Sequence, residues 1–307
     1  MKNYIKLMIA MTIMVVFMSS CGTTEKASGQ PKTIKQILEE AGAIDCEQID
    51  LSEYEKNAGI SLADYESYHF YYESDGLKIE GYMSVPLSKL QDQTKSSCLI
   101  FNHGGNRDYG ALDPIQTTYY AYQFQTICIA SNYRGCGKSE GKDEFGGADV
   151  DDVIHLVDFC GKLSFVDPQK INMLGVSRGG MMTYEVLRND NRVHKAVVVS
   201  GLADSFMGYE ERDDMREIYK ELVGGTPEDL PKEYEKRSAT YWADEINTPL
   251  LIFHGTKDEK VSYDQAEKLV QKLKENGKEV IFITSDSNAH ADLQKEDVQR
   301  IKEWLGD

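Results

Sequence analysis

Along the chain, short apolar runs alternate with amphipathic stretches. The runs at 97–101, 126–130, 171–174, 195–199, 250–253 and 279–284 are too short for buried helices and are bounded by polar or glycine-rich turns, so they predict strands. Between them, 149–160 carries Val150, Val153, Ile154 and Val157 at helical spacing, and 263–274 and 293–305 read as helices too. Such alternation predicts a mostly parallel sheet with helices on both faces, whose ligands bind at the carboxyl ends of the strands. Residues 68–73 and 77–85 flank Asp75-Gly76 and read as a β-hairpin. Thr33 can cap a short helix over 34–41, with Ile34, Ile37 and Leu38 on one face.

Two stretches break this rhythm. Residues 43–66 are polar and acidic with scattered apolar positions, and no function follows from them. They either pack on the domain or lie over its entrance. Residues 202–247 are rich in Tyr, Glu and Arg, with helical periodicity at 215–222, and predict a short helical cap or a partner surface over the strand ends.

The amino terminus has a different character. Lys2 and Lys6 precede an apolar run at 7–18, followed by Ser19-Ser20-Cys21-Gly22. This predicts a secretory signal, because the run is too short to span a bilayer comfortably. Met18-Ser19-Ser20-Cys21 resembles a bacterial lipoprotein lipobox, which implies cleavage before Cys21 and lipid on its sulfur. The expected organisation is a lipoprotein signal at 1–20, a tether at 21–33, a helical or irregular segment at 34–66 and one α/β domain at 67–307. The expected location is the outer side of the cell membrane, held through Cys21.

Charge narrows the partners. With 51 acidic and 34 basic residues the formal net charge is −17, and loss of Lys2 and Lys6 with the signal leaves the chain more acidic still. Such a surface does not suit nucleic acid, and any membrane attachment rests on acyl chains. The six cysteines show no metal-binding spacing, and Cys98 and Cys128 read as small buried hydrophobes.

The chemistry centres on Gly175-Val176-Ser177-Arg178-Gly179, which follows a predicted strand and precedes a helical run. In that setting Gly-x-Ser-x-Gly is a nucleophile elbow: the serine holds a strained backbone, and its neighbours must be glycine to permit close approach. A serine hydroxyl needs a base. In the order expected of an α/β hydrolase, serine precedes an acid and then a histidine, and His290 alone follows both Ser177 and a plausible acid. His103 and His254 begin glycine turns at strand ends and stand as residues near the site, whereas His69, His155 and His194 read as structural or exposed. Asp258 is the favoured acid and Asp286 its rival. The oxyanion donors are the Arg178 backbone N–H and an amide of Gly105 or Asn106, with the Tyr109 side chain as a further candidate. No role follows for the Arg178 side chain beyond facing the substrate.

Several motifs together carry a family resemblance. Asn102-His103-Gly104-Gly105, Tyr133-Arg134-Gly135-Cys136-Gly137-Lys138-Ser139, the run from Asp167-Pro168 into Gly175–Gly180, and Pro249 to Gly255 with Asp258 resemble the catalytic domain of the prolyl oligopeptidase family. The resemblance covers residues 68–307. It implies an α/β-hydrolase fold, a Ser177–Asp258–His290 triad, and residues 202–247 as a family-typical segment over the site. Only about 45 residues separate Cys21 from the hairpin, too few for the β-propeller that often precedes the domain in peptide-cleaving members. The expected activity is therefore hydrolysis of small acyl substrates, short peptides or esters, without cofactor or metal, with a non-catalytic surface-binding lipoprotein as the alternative of another class.

Overall fold

Alternation within the central strands gives the sheet two apolar faces. In β4 (Ser96–Asn102), Cys98 and Ile100 enter one core while Leu99 and Phe101 enter the other. β7 (Val193–Val199) divides Ala196 and Val198 from Val197 and Val199 in the same way, and β8 (Leu250–Gly255) divides Leu250 and Ile252 from Leu251 and Phe253. A strand buried on both sides reads as a continuous apolar run, which is why these three stand out in the sequence.

The computed structural model describes residues 31–306 apart from Asp92, Gln93 and Asn288. The expected signal, Cys21 and nearly all of the tether lie outside the described residues. Residues 33–307 form one compact unit. Among the described residues, nine strands form one sheet ordered β1-β2-β3-β5-β4-β6-β7-β8-β9. Besides those given, they are β1 (Ile44–Gln48), β2 (Tyr65–Ser74), β3 (Leu77–Pro86), β5 (Ile127–Ser131), β6 (Val166–Val176) and β9 (Val280–Ser285). From β5 to β9 all pairings are parallel, while β1, β2 and β3 extend the sheet in antiparallel fashion.

The helices are α1 (Ile34–Ala41), α2 (Ser52–Ala58), α3 (Gln116–Phe124), α4 (Asp149–Lys162), α5 (Arg178–Asn189), α6 (Ser205–Glu211), α7 (Arg216–Val223), α8 (Pro231–Lys236), α9 (Tyr263–Glu275) and α10 (Lys295–Leu305). α4, α5 and α9 cover one face, while α3 and α10 cover the other. This is the α/β-hydrolase fold, with its mostly parallel sheet between helical layers. Thr33 caps α1 in a reciprocal box with Gln36.

Two elements differ from expectation. The stretch at 43–66 contains β1, whose single buried residue, Cys46, leaves too weak an alternation to read as a strand. α3 is also unanticipated. Its β-branched and aromatic residues are poor helix formers, and it is held by tertiary bonds: Thr117 Oγ1 lies 2.9 Å from Ser84 Oγ, and Thr118 Oγ1 lies 2.8 Å from Ser67 Oγ. The segment at 202–247 is divided in its packing. Leu202, Tyr219, Leu222 and Tyr234 cluster with Phe145 and Met181, whereas Ala239, Trp242, Ala243 and Ile246 enter the main core.

Candidate active site

β6 passes directly into α5, and Ser177 makes the turn between them with φ 58° and ψ −123°. That backbone is held from two sides. The Ser177 N–H donates to the Val199 carbonyl at 3.1 Å, and the Ser177 carbonyl accepts from Leu202 N–H at 3.1 Å. The flanking glycines are required by contact. A Cβ on Gly175 would lie 2.2 Å from the Gly179 carbonyl oxygen and one on Gly179 would meet the Asn102 carbonyl, while Gly104, in the loop after β4, packs 3.0 Å from Ser177 Cβ where its own Cβ would stand. Positive φ also occurs at Arg107, Tyr133, Phe145, Ser200 and Ala291, all in loops following strands β4, β5, β7 and β9. Such strain persists only where the surrounding structure enforces it.

Asp258 follows β8 in a turn that it stabilises itself. Its Oδ1 accepts Lys260 N–H at 2.8 Å and Val261 N–H at 3.1 Å. The same carboxylate accepts the His290 Nδ1–H, at 2.9 Å to Oδ2 and 3.1 Å to Oδ1. The turn role and the pairing with histidine therefore coexist. Burial alone would raise the Asp258 pKa, but the His290 hydrogen bond and the Lys260 amide outweigh it and hold the carboxyl at about 2. With Nδ1 committed, Nε2 is the remaining ring nitrogen of His290, and His290 lines the same cavity as Ser177. Ala291 N–H donates to Ser200 Oγ at 3.1 Å and anchors the histidine loop.

The other sequence candidates fall elsewhere. Asp286 is exposed and pairs with Lys257 at 2.7 Å. His254 is buried behind the turn, where its Nε2–H donates to the Val261 carbonyl at 2.8 Å. His103 is buried and stacks on Tyr133 at 4.3 Å, with Nδ1–H donating to the Gly104 carbonyl. Burial pushes its pKa down to about 4, against the opposing effect of that bond. Asn106 needs correction as an amide donor, because its N–H is taken by the Tyr109 carbonyl at 3.0 Å. The Gly105 N–H has no such partner among the described residues. Arg178 is the first residue of α5, so its N–H has no acceptor within the helix. Tyr109 is 80% exposed at the cavity rim.

The Arg178 side chain also departs from expectation. Although the residue borders the cavity, its guanidinium is buried, with paired bonds to Asp143 at 2.7 and 2.9 Å and a further bond to Asp149. The rings of Tyr133 and Phe145 lie 5.3 and 5.0 Å from it. Asp143 was not legible as a partner, because nothing in the spacing of the 140–147 loop singles it out.

The cavity holds about 560 Å³. Gly105, Ser177 and His290 border it, Phe145, Leu202, Met215, Ile218 and Tyr219 supply apolar wall, and Arg212, Asp214 and Lys260 add charge. Arg212 and Asp214 neutralise each other through paired hydrogen bonds at 2.8 and 2.7 Å. Among the described residues, no group of three or more His, Cys, Asp or Glu side chains gathers as a metal site.

Comparison with known proteins agrees with this architecture. The model of the prolyl oligopeptidase family matches residues 115–307. The uncharacterized peptidase YtmA of Bacillus subtilis is 29% identical over 242 residues, covering 78% of this chain and 92% of that protein. The acylaminoacyl peptidase of Pyrococcus horikoshii superposes with a TM-score of 0.69 at 23% identity, over 84% of this chain and 43% of its own. Acetyl xylan esterase 1 of Thermoanaerobacterium sp. gives 0.63 at 15% identity, over 90% of this chain and 95% of its own.

Proposed function

This chain belongs to the prolyl oligopeptidase family, and on that footing we propose that it is a serine hydrolase cleaving short peptides or small amides through an acyl-enzyme on Ser177. The observation that carries the reading is the His290–Asp258 pair, 2.9 Å apart, with His290 sharing a cavity with Ser177. In the proposed reaction His290 Nε2 takes the hydroxyl proton as Ser177 Oγ attacks the acyl carbon. Asp258 holds the ring and stabilises the imidazolium. The Arg178 and Gly105 N–H groups receive the oxyanion. His290 then protonates the leaving amine, and water repeats the cycle on the acyl-enzyme. The apolar wall from Phe145 to Tyr219 favours an apolar group on the substrate.

A carboxylesterase of the same mechanism is the second reading. It is favoured by the likeness to acetyl xylan esterase 1 over nearly the full length of that chain. Turnover of aminoacyl-p-nitroanilides beside p-nitrophenyl esters separates the two. We expect amide turnover by the wild-type protein and none by Ser177→Ala or His290→Ala. Ester turnover with negligible amide turnover would give the esterase reading instead, and full activity in His290→Ala would remove the triad.

The lipobox resemblance supports attachment to the outer side of the membrane through Cys21. Radiolabelled palmitate should enter the wild-type protein and not Cys21→Ala, and label in both would reject the assignment.

A further inference from the structure

The two amides assigned to the oxyanion belong to different parts of the chain. Arg178 N–H opens α5, while Gly105 N–H lies in the loop after β4. That loop has no regular structure: Gly105 and Arg107 both have positive φ, at 83° and 51°. An oxyanion site works only if its donors stay within about 0.5 Å of their productive positions. Something must therefore tie the loop to the start of α5.

We propose that the Arg178–Asp143 ion pair is that tie, which makes both side chains positioning residues for the oxyanion step. This rests on the oxyanion assignment above. The Asp143 carboxylate accepts two hydrogen bonds from Arg178, at 2.7 and 2.9 Å, and one from the Arg107 backbone N–H at 2.6 Å. It also accepts Phe145 N–H at 2.9 Å, which fixes the carboxylate in its own loop. Arg178 Nη1 completes the connection by donating to the Gly105 carbonyl at 3.4 Å. The residue whose N–H is one oxyanion donor thus grips, through its side chain, the loop that supplies the other. Both side chains are at most 3% exposed, so water does not compete for these bonds.

A lysine at 178 would keep the charge and lose the planar fork, which matches a carboxylate in two bonds. Asparagine at 143 would keep the shape and lose the charge. Asp149 supplies an internal control. It bonds the same guanidinium and the Gly146 N–H but makes no hydrogen bond to the Gly105–Arg107 loop.

The test compares wild type, Arg178→Lys, Asp143→Asn and Asp149→Asn on a p-nitrophenyl ester and an aminoacyl-p-nitroanilide. Rates are referred to active sites titrated to completion with a fluorophosphonate, so a partly folded variant still gives an answer. We expect kcat to fall about 100-fold in Arg178→Lys and Asp143→Asn, as when one oxyanion donor is lost, with KM little changed. Inhibition by an arylboronic acid should weaken in parallel, because the tetrahedral boronate formed on Ser177 places an oxygen in the oxyanion site. Asp149→Asn should lower the melting temperature and keep kcat. The inference is overturned if Arg178→Lys and Asp143→Asn keep wild-type kcat, or if Asp149→Asn loses as much kcat as they do. Absence of both turnover and fluorophosphonate labelling in folded wild-type protein would instead overturn the proposed function, and this inference with it.

Discussion

A Cβ on Gly179 would stand 1.9 Å from the carbonyl oxygen of Asn102. The first turn of α5 therefore rests directly on the end of β4, backbone against backbone. No rotamer change relieves that contact, because a Cβ is fixed by the backbone and its partner is a main-chain carbonyl. Gly179→Ala should lower stability by about 3 kcal/mol, the upper part of the usual overpacking range. It should also lower activity beyond the loss of folded protein, since Ser177 moves with the turn. Denaturant unfolding and active-site titration of the same preparation measure both effects.

Asp258→Asn should reduce kcat by roughly 10⁴-fold, the scale seen when a triad acid is replaced and the histidine adopts the wrong tautomer. Its effect on stability depends on pH. Because the folded-state pKa of Asp258 is depressed to about 2 from an ordinary 3.8, its charged form contributes stability above about pH 3.8. That contribution disappears as pH falls toward 2. The stability gap between wild type and Asp258→Asn should narrow across that window in acid-unfolding curves.

Glu185 has the opposite sign. Both its carboxyl oxygens are buried without a hydrogen-bond partner among the described residues, and burial holds its pKa well above the ordinary 4.5. Above pH 4.5 the unfolded chain releases this proton while the folded chain keeps it. The resulting penalty grows by about 1.4 kcal/mol per pH unit until the folded pKa is reached. Glu185→Gln should therefore gain stability relative to wild type as pH rises from 4 to 8. Melting temperatures of the two proteins at each pH give the comparison.

Ile218 lies on α7 and lines the cavity. Ile218→Trp should fill part of the apolar space. We expect kcat/KM for phenylalanyl or other bulky acyl groups to fall at least tenfold relative to acetyl esters, the scale of discrimination an apolar pocket provides. An unchanged ratio would place the acyl group elsewhere in the cavity.

The central sheet and the His290–Asp258 pair beside the Ser177 turn were legible for different reasons. β4, β7 and β8 carry apolar residues on both faces, so burial itself writes the strand into the sequence. Ser177, Asp258 and His290 are separated by long stretches, but each sits after a strand in a turn whose composition is unusual. The rest depends on contacts that composition does not encode. β1 buries one residue, and α3 relies on hydroxyl bonds to β2 and β3. The exclusion of Asn106 comes from one backbone bond to Tyr109, and the partnership of Arg178 with Asp143 spans 35 residues without a local signal.

The backbone of Ser177 sets stability against the proposed chemistry. A non-glycine residue in such a conformation carries about 1–3 kcal/mol of strain. Ser177→Gly should therefore fold more stably than either wild type or Ser177→Ala, while abolishing hydrolysis. The relief comes from removing the Cβ and not the hydroxyl alone, because Ser177→Ala keeps the strained conformation. Under the proposed reaction, the strain at Ser177 is a stability cost set against the nucleophilic role of its hydroxyl.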